Sequence, residues 1–199
     1  LWGSSSYKGG DGCDRDLPVA DARMDNMAIW GRLLETYDLR GIVVTGWSRS
    51  NTNQPQRVPI DGALDLLAFG GLVLGKTDSA RTMAAANRLL KNLGEWERFA
   101  ECRELLRRLE RQRKEGWDNV RRIRQFIACG ELDARRRENV VARKNMGHLA
   151  QHINGIEATG KGLTTALRGA IHALWVERYI GERLKPLQAE LHELRRHIR

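Results

Sequence analysis

From Asp61 to the C-terminus this 199-residue chain carries apolar side chains at three- and four-residue spacing, broken at Gly94, Gly116, Gly130 and Gly160 and again at Pro186. That period turns one stripe of each segment toward a common core and leaves the opposite face to solvent, as an α-helix requires. The spacing predicts helices over about 62–74, 78–93, 95–115, 117–129, 131–158, 162–184 and 186–198. The helix over 162–184 is expected to be central: Gly162, Ala166, Gly169, Ala170 and Ala173 permit close approach, and Leu163, Leu167, Ile171 and Leu174 form an apolar stripe.

The N-terminal third reads differently. Residues 3–16 are rich in Gly, Ser and Asp and are expected to form an irregular arm ordered only by a partner, with Trp2, Tyr7 and Lys8 offering contacts. Between Pro18 and Leu39, Met24, Met27, Ala28, Trp30, Leu33, Leu34 and Tyr37 mark an amphipathic helix, with Asp16 and Asp21 near its start and Gly41 as its expected end. Ile42-Val43-Val44 is the one β-branched run, and a short return strand at Val58–Ile60 would make one hairpin. The expected class is therefore all-α: a multi-helix bundle with an irregular N-terminal arm and at most one short β-hairpin. The arm, first helix and extended loop take 1–60, and the bundle takes 61–199.

Charge is the strongest functional signal. The formal net charge is +9, and Arg107 to Lys144 alone holds 13 Lys/Arg, 11 of them Arg, against six Asp/Glu. Residues 1–60 balance at seven and seven. Guanidinium groups stay protonated and present a planar fork that matches two phosphate oxygens, so a local belt of them suits a nucleic-acid backbone. Laid out at 100° per residue, the helix from Glu95 to Glu115 separates a core arc (Phe99, Cys102, Leu105, Leu106, Leu109), an acidic arc (Glu97, Glu101, Glu104) and a basic arc. The basic arc holds Arg103, Arg107, Arg111 and Lys114, with Trp96 beside them, in a stripe about 16 Å long. Glu104 with Arg108 and Glu110 with Lys114 are also set for pairing four residues apart. The next helix turns Val120, Ile123, Phe126 and Ile127 inward and Arg121, Arg122 and Arg124 outward. Arg135, Arg136 and Arg137 circle their helix, and Arg136 with Arg143 and Arg137 with Lys144 stand one heptad apart. These twelve cations, within the belt 103–144, are the expected phosphate contacts.

Other motifs weigh less. Gly70 to Thr77 matches the phosphate-cradling pattern G-x-x-x-x-G-K-[ST], but Ala63 to Phe69 has helical spacing where that loop needs a buried strand, and Leu72-Val73-Leu74 would crowd the phosphates. A helix end capped near Gly75, with Asp78 opening the next helix, is the expected reading. His148 and His152 stand four apart without the Glu of a zinc peptidase or a visible third ligand, so no metal is expected. Asn139 to Ala173 fits a helix-turn-helix poorly, because the turn at Asn154–Gly160 is too long and the second helix too apolar. Cys13, Cys102 and Cys129 give neither a disulfide framework nor a zinc-ribbon pair.

The expectation is a nucleic-acid-binding protein, RNA or DNA, acting on the backbone within a larger nucleoprotein assembly, not an enzyme and without a cofactor. A structural or adaptor bundle whose belt meets an acidic protein is the alternative, and a nucleotide-dependent enzyme built on Gly70–Thr77 is the third. Protein partners are expected at the N-terminal arm or at the apolar seam Leu187, Leu191, Leu194 and Ile198. No stretch of about 18 apolar residues is present, so a soluble protein of cytoplasm or virion is expected.

Overall fold

The computed structural model describes residues 3–8, 17–46, 60–73, 78–128, 137–167 and 173–197. They form strands β1 (Gly3–Lys8) and β2 (Ile42–Gly46), a 3₁₀ turn at Ile60–Ala63, and six helices: α1 (Ala20–Tyr37), α2 (Leu64–Leu72), α3 (Ser79–Asn92), α4 (Trp96–Ala128), α5 (Arg137–Ala166) and α6 (Ala173–His197). The all-α class holds. Among the described residues no helix is long and apolar enough to cross a membrane. The chain divides into two compact units, Leu1–Leu106 and Arg107–Arg199, with the boundary inside α4.

In unit 1 the one β-branched run finds a different partner from the expected return strand. β2 pairs in parallel with β1, from Gly3 opposite Ile42 to Lys8 opposite Gly46, with an irregularity between Ser6 and Lys8. A parallel pair needs a crossover, and α1 supplies it. The arm is thus a strand over Gly3–Lys8. Its Ser and Gly residues carry no apolar periodicity, but backbone groups pair regardless of side chain. Val58 and Pro59 lie outside the described residues, and Ile60 opens the 3₁₀ turn.

Helix α1 ends at Asp38 rather than at Gly41. Asp38 adopts φ 48°, and its N–H bonds the Leu34 carbonyl, a left-handed cap that a short polar side chain tolerates. Met27 and Ala28 join Ala63, Leu66, Phe69, Val73 and Ala86 in the core of unit 1. Two glycines set the packing distances. A Cβ on Gly31 would lie 3.0 Å from the Val73 carbonyl oxygen, and one on Gly70 would lie 2.8 Å from a Val44 methyl. Asp78 then starts α3 as expected, its carboxylate accepting from the Arg81 N–H at 3.0 Å. Gly94, at φ 71°, follows its end.

Unit 2 is the remainder of α4 with α5 and α6. Its core takes Leu109, Val120 and Ile123 from α4, Leu149, Ile153, Ile156 and Leu163 from α5, and Val176, Tyr179, Leu187, Leu191 and Leu194 from α6. Here the expected punctuation is corrected. Gly116 and Gly160 do not end helices; they are where helices touch. A Cβ on Gly116 would meet Leu187 at 3.1 Å, one on Gly160 would meet Ile180 at 2.9 Å, and Gly155 on α5 is crossed by the Gln112 side chain. The cost of mid-helix glycine, about 1 kcal/mol, is offset by contacts that no larger residue permits. The helix expected over 162–184 is divided, since α5 ends at Ala166 and α6 starts at Ala173. Pro186 lies inside α6 instead of opening a new segment; burial of Leu187, Leu191 and Leu194 carries the helix past it.

Candidate nucleic-acid interface

The charge follows the units. Unit 1 holds 13 Lys/Arg against 14 Asp/Glu, a net −1, while unit 2 holds 21 against 11, a net +10. The core of α4 in unit 2 lies on one arc, so the arc opposite is left to polar side chains. On that outward arc Arg107, Arg108, Arg111, Lys114 and Arg122 are all exposed, within about 120° of the helix circumference. Among the described residues Arg108, Arg111, Lys114 and Arg122 enter no ion pair or side-chain hydrogen bond. Arg107 has an internal interaction but keeps its exposure.

Besides Arg107, three more of the expected contacts are engaged within the protein. Arg103 belongs to unit 1, where its guanidinium bonds the carboxylate of buried Asp65 and lies 5.5 Å from the centre of the Phe99 ring. Asp65 is the first-turn acid of α2, and its other oxygen accepts from the Leu66 N–H at 2.9 Å. Arg103 is therefore only partly exposed, and the stripe expected from Arg103 begins at Arg107. Its guanidinium turns to Asp65 because a buried carboxylate costs far more unpaired than an exposed guanidinium gains from water. Arg121 bonds Asp118 one turn earlier on α4. Arg124 reaches α6, to Glu190 at 2.8 Å and Glu193 at 3.3 Å. The hydrogen bond and charge of Glu190, then the charge of Glu193, raise its pKa above the ordinary value.

On α5, Arg143 and Lys144 are exposed. Arg137 is its first residue, while Arg135 and Arg136 lie outside the described residues. Arg108 joins the expected contacts, although its spacing from Glu104 suggests an internal pair. Arg195 and Arg196, exposed in the last turn of α6, lie outside the belt; counting charge by compact unit would have found them.

Gly70, Gly71 and Leu72 are helical and Val73 is buried, so the first half of the phosphate-loop pattern is a helix end whose first glycine serves packing against Val44. Gly75, Lys76 and Thr77 lie outside the described residues. His152 faces Glu115 at 3.5 Å, and among the described residues no group of three or more His, Cys, Asp or Glu could hold a metal. Asn154–Gly160, the turn a helix-turn-helix would need, is continuous α5. Leu187, Leu191 and Leu194 are buried within unit 2, so the expected subunit seam is covered by the chain's own helices; Ile198 lies outside the described residues. Cys102 is a free, buried thiol; Cys13 and Cys129 lie outside the described residues. No protein-family model, curated protein or solved structure matches this chain.

Proposed function

We propose that this protein binds nucleic acid through the phosphate backbone, with the outward face of α4 in unit 2 as the principal contact and Arg143 and Lys144 of α5 adding to it, as a component of a nucleoprotein assembly. The observation that carries this reading is the segregation of charge: +10 on unit 2 and −1 on unit 1. Like charges gathered on one small unit repel one another and oppose its compaction. Internal pairing relieves Arg121 and Arg124, yet four cations on the outward face of α4 have no partner among the described residues. A polyanion supplies the missing counter-charge and gains the entropy of released counterions.

The test is fluorescence anisotropy with a labelled oligonucleotide across a salt series, comparing the intact protein with Arg107→Gln/Arg108→Gln/Arg111→Gln/Lys114→Gln. Affinity should fall in the variant, and the slope of log K against log salt should flatten by roughly one unit for each phosphate no longer neutralised. Unchanged affinity and slope would end this reading and turn attention to an acidic protein surface as the partner of the belt.

A further inference from the structure

Resting on that reading, we infer that the ligand is a double-stranded nucleic acid whose groove α4 straddles, with B-form DNA the best fit. Helix α4 runs without interruption past Gly116, so the cations on its outward face are held at fixed axial positions. Arg107, Arg108, Arg111 and Lys114 occupy about 10.5 Å of axis, and Arg122 follows about 12 Å beyond Lys114. The interval between them is not neutral. Glu115 and Asp118 fall in it, on the same arc as the cations; Glu115 is exposed, and Asp118 already holds Arg121.

A single strand lying along this face would carry its phosphates past Glu115, a like charge, and past the Asp118–Arg121 pair, which offers no net attraction. A duplex crossed by the helix places no phosphate there. One backbone flanking a groove meets the group Arg107, Arg108, Arg111 and Lys114, the other meets Arg122, and the interval with Glu115 lies over the groove. The B-form major groove is about 12 Å wide, close to the interval, and deep enough to admit a helix; in A-form RNA the deep groove is narrow and the wide groove is shallow, so a helix seated between the two backbones fits DNA better.

The apolar side chains agree. Proteins that hold single strands without sequence preference stack the bases on exposed aromatic rings. Among the described residues, the exposed large apolar side chains of unit 2 are Val140 and Val141, neither of them aromatic; Trp117 and Phe126 on α4 are half-buried. The face offers cations to phosphates and no platform to bases.

The experiment compares the full chain binding a 20-base-pair DNA duplex, a 20-base-pair RNA duplex and a single-stranded DNA of equal phosphate number, at one salt concentration. The DNA duplex should bind about tenfold tighter than the single strand and tighter than the RNA duplex. Glu115→Gln should raise single-strand affinity more than duplex affinity, narrowing the difference, because only the single strand passes that position. A single strand that binds as tightly as the DNA duplex, an RNA duplex that binds tighter, or a Glu115→Gln variant that leaves the ratio unchanged would overturn the groove-straddling geometry while leaving backbone binding intact. Failure of all three nucleic acids to bind would instead remove the function proposed above.

Discussion

Unit 1 and unit 2 solve the same packing problem and differ in what their surfaces carry. Each buries a contiguous apolar core, with Met27, Leu66 and Phe69 in the first and Leu149, Ile156 and Leu163 in the second. Each uses glycines to admit a neighbour closely, Gly31 and Gly70 in one and Gly116, Gly155 and Gly160 in the other. Their charges are −1 and +10. Burial of apolar area dominates folding and takes no account of the sign of exposed charge, and unit 1 buries its core without excess cation. The positive excess of unit 2 is then surplus to folding and costs self-repulsion. Both units carry ion pairs at the surface, Arg81 with Asp78 in unit 1 and Arg121 with Asp118 in unit 2, and unit 1 also takes Arg103 to a buried carboxylate.

The largest expected effect comes from the cores. Phe69→Ala in unit 1 and Ile156→Ala in unit 2 should each cost about 3–4 kcal/mol, the sum of forfeited transfer energy and a cavity, read as a shift in urea midpoint. Hydrogen exchange on the same variants sharpens the comparison: protection should fall most in the unit that carries the change, and an equal fall in both would show that the two units open as one. Next comes the belt. The fourfold Gln variant of Arg107, Arg108, Arg111 and Lys114 should lose about a hundredfold in nucleic-acid affinity near 0.1 M salt, or about 2.7 kcal/mol. A matched variant in unit 1, at exposed Arg32, Arg81, Arg88 and Lys91, should weaken binding by less than about threefold through long-range charge alone. Equal effects in the two variants would break the assignment of function to unit 2.

Asp65→Asn strands the Arg103 guanidinium in a partly buried position and should destabilise the protein by about 2 kcal/mol, with affinity for nucleic acid unchanged. A clear change in affinity would restore Arg103 to the binding face. The smallest effect belongs to the exposed pair. Asp118→Asn should move thermal stability by less than about 0.5 kcal/mol, since both partners stay hydrated after the change. It should also tighten single-strand binding slightly, by removing one acidic group between Lys114 and Arg122 and releasing Arg121 from its pair.

Much of the helical architecture was legible because periodicity is local. The start of α3 at Asp78 and its end before Gly94 follow from an N-cap carboxylate and a left-handed glycine. The inward stripes of α4 also follow, because a three-to-four spacing can face only one way. Glycine and proline misled at Gly116, Gly160 and Pro186. Local propensity disfavours each in a helix interior, and nothing nearby in sequence reveals that Leu187 or Ile180 needs the space. The candidate face was legible as a belt but not in its membership. Arg111, Lys114 and Arg122 follow from helical geometry alone, while the diversion of Arg103 depends on an aspartate thirty-eight residues away.

By itself the sequence determined the quantities that are sums or short-range patterns: the helical class, the faces of α4, and the concentration of positive charge after Arg107. Tertiary structure decided which residues spend their chemistry internally. It paired β1 with β2, turned Gly70 from a phosphate-loop candidate into a packing contact with Val44, covered the Leu187, Leu191 and Leu194 seam, and withdrew Arg103 to Asp65. The physical reason is range. A helix is chosen by interactions within about four residues, whereas burial and ion pairing are settled between residues that only the folded chain brings together.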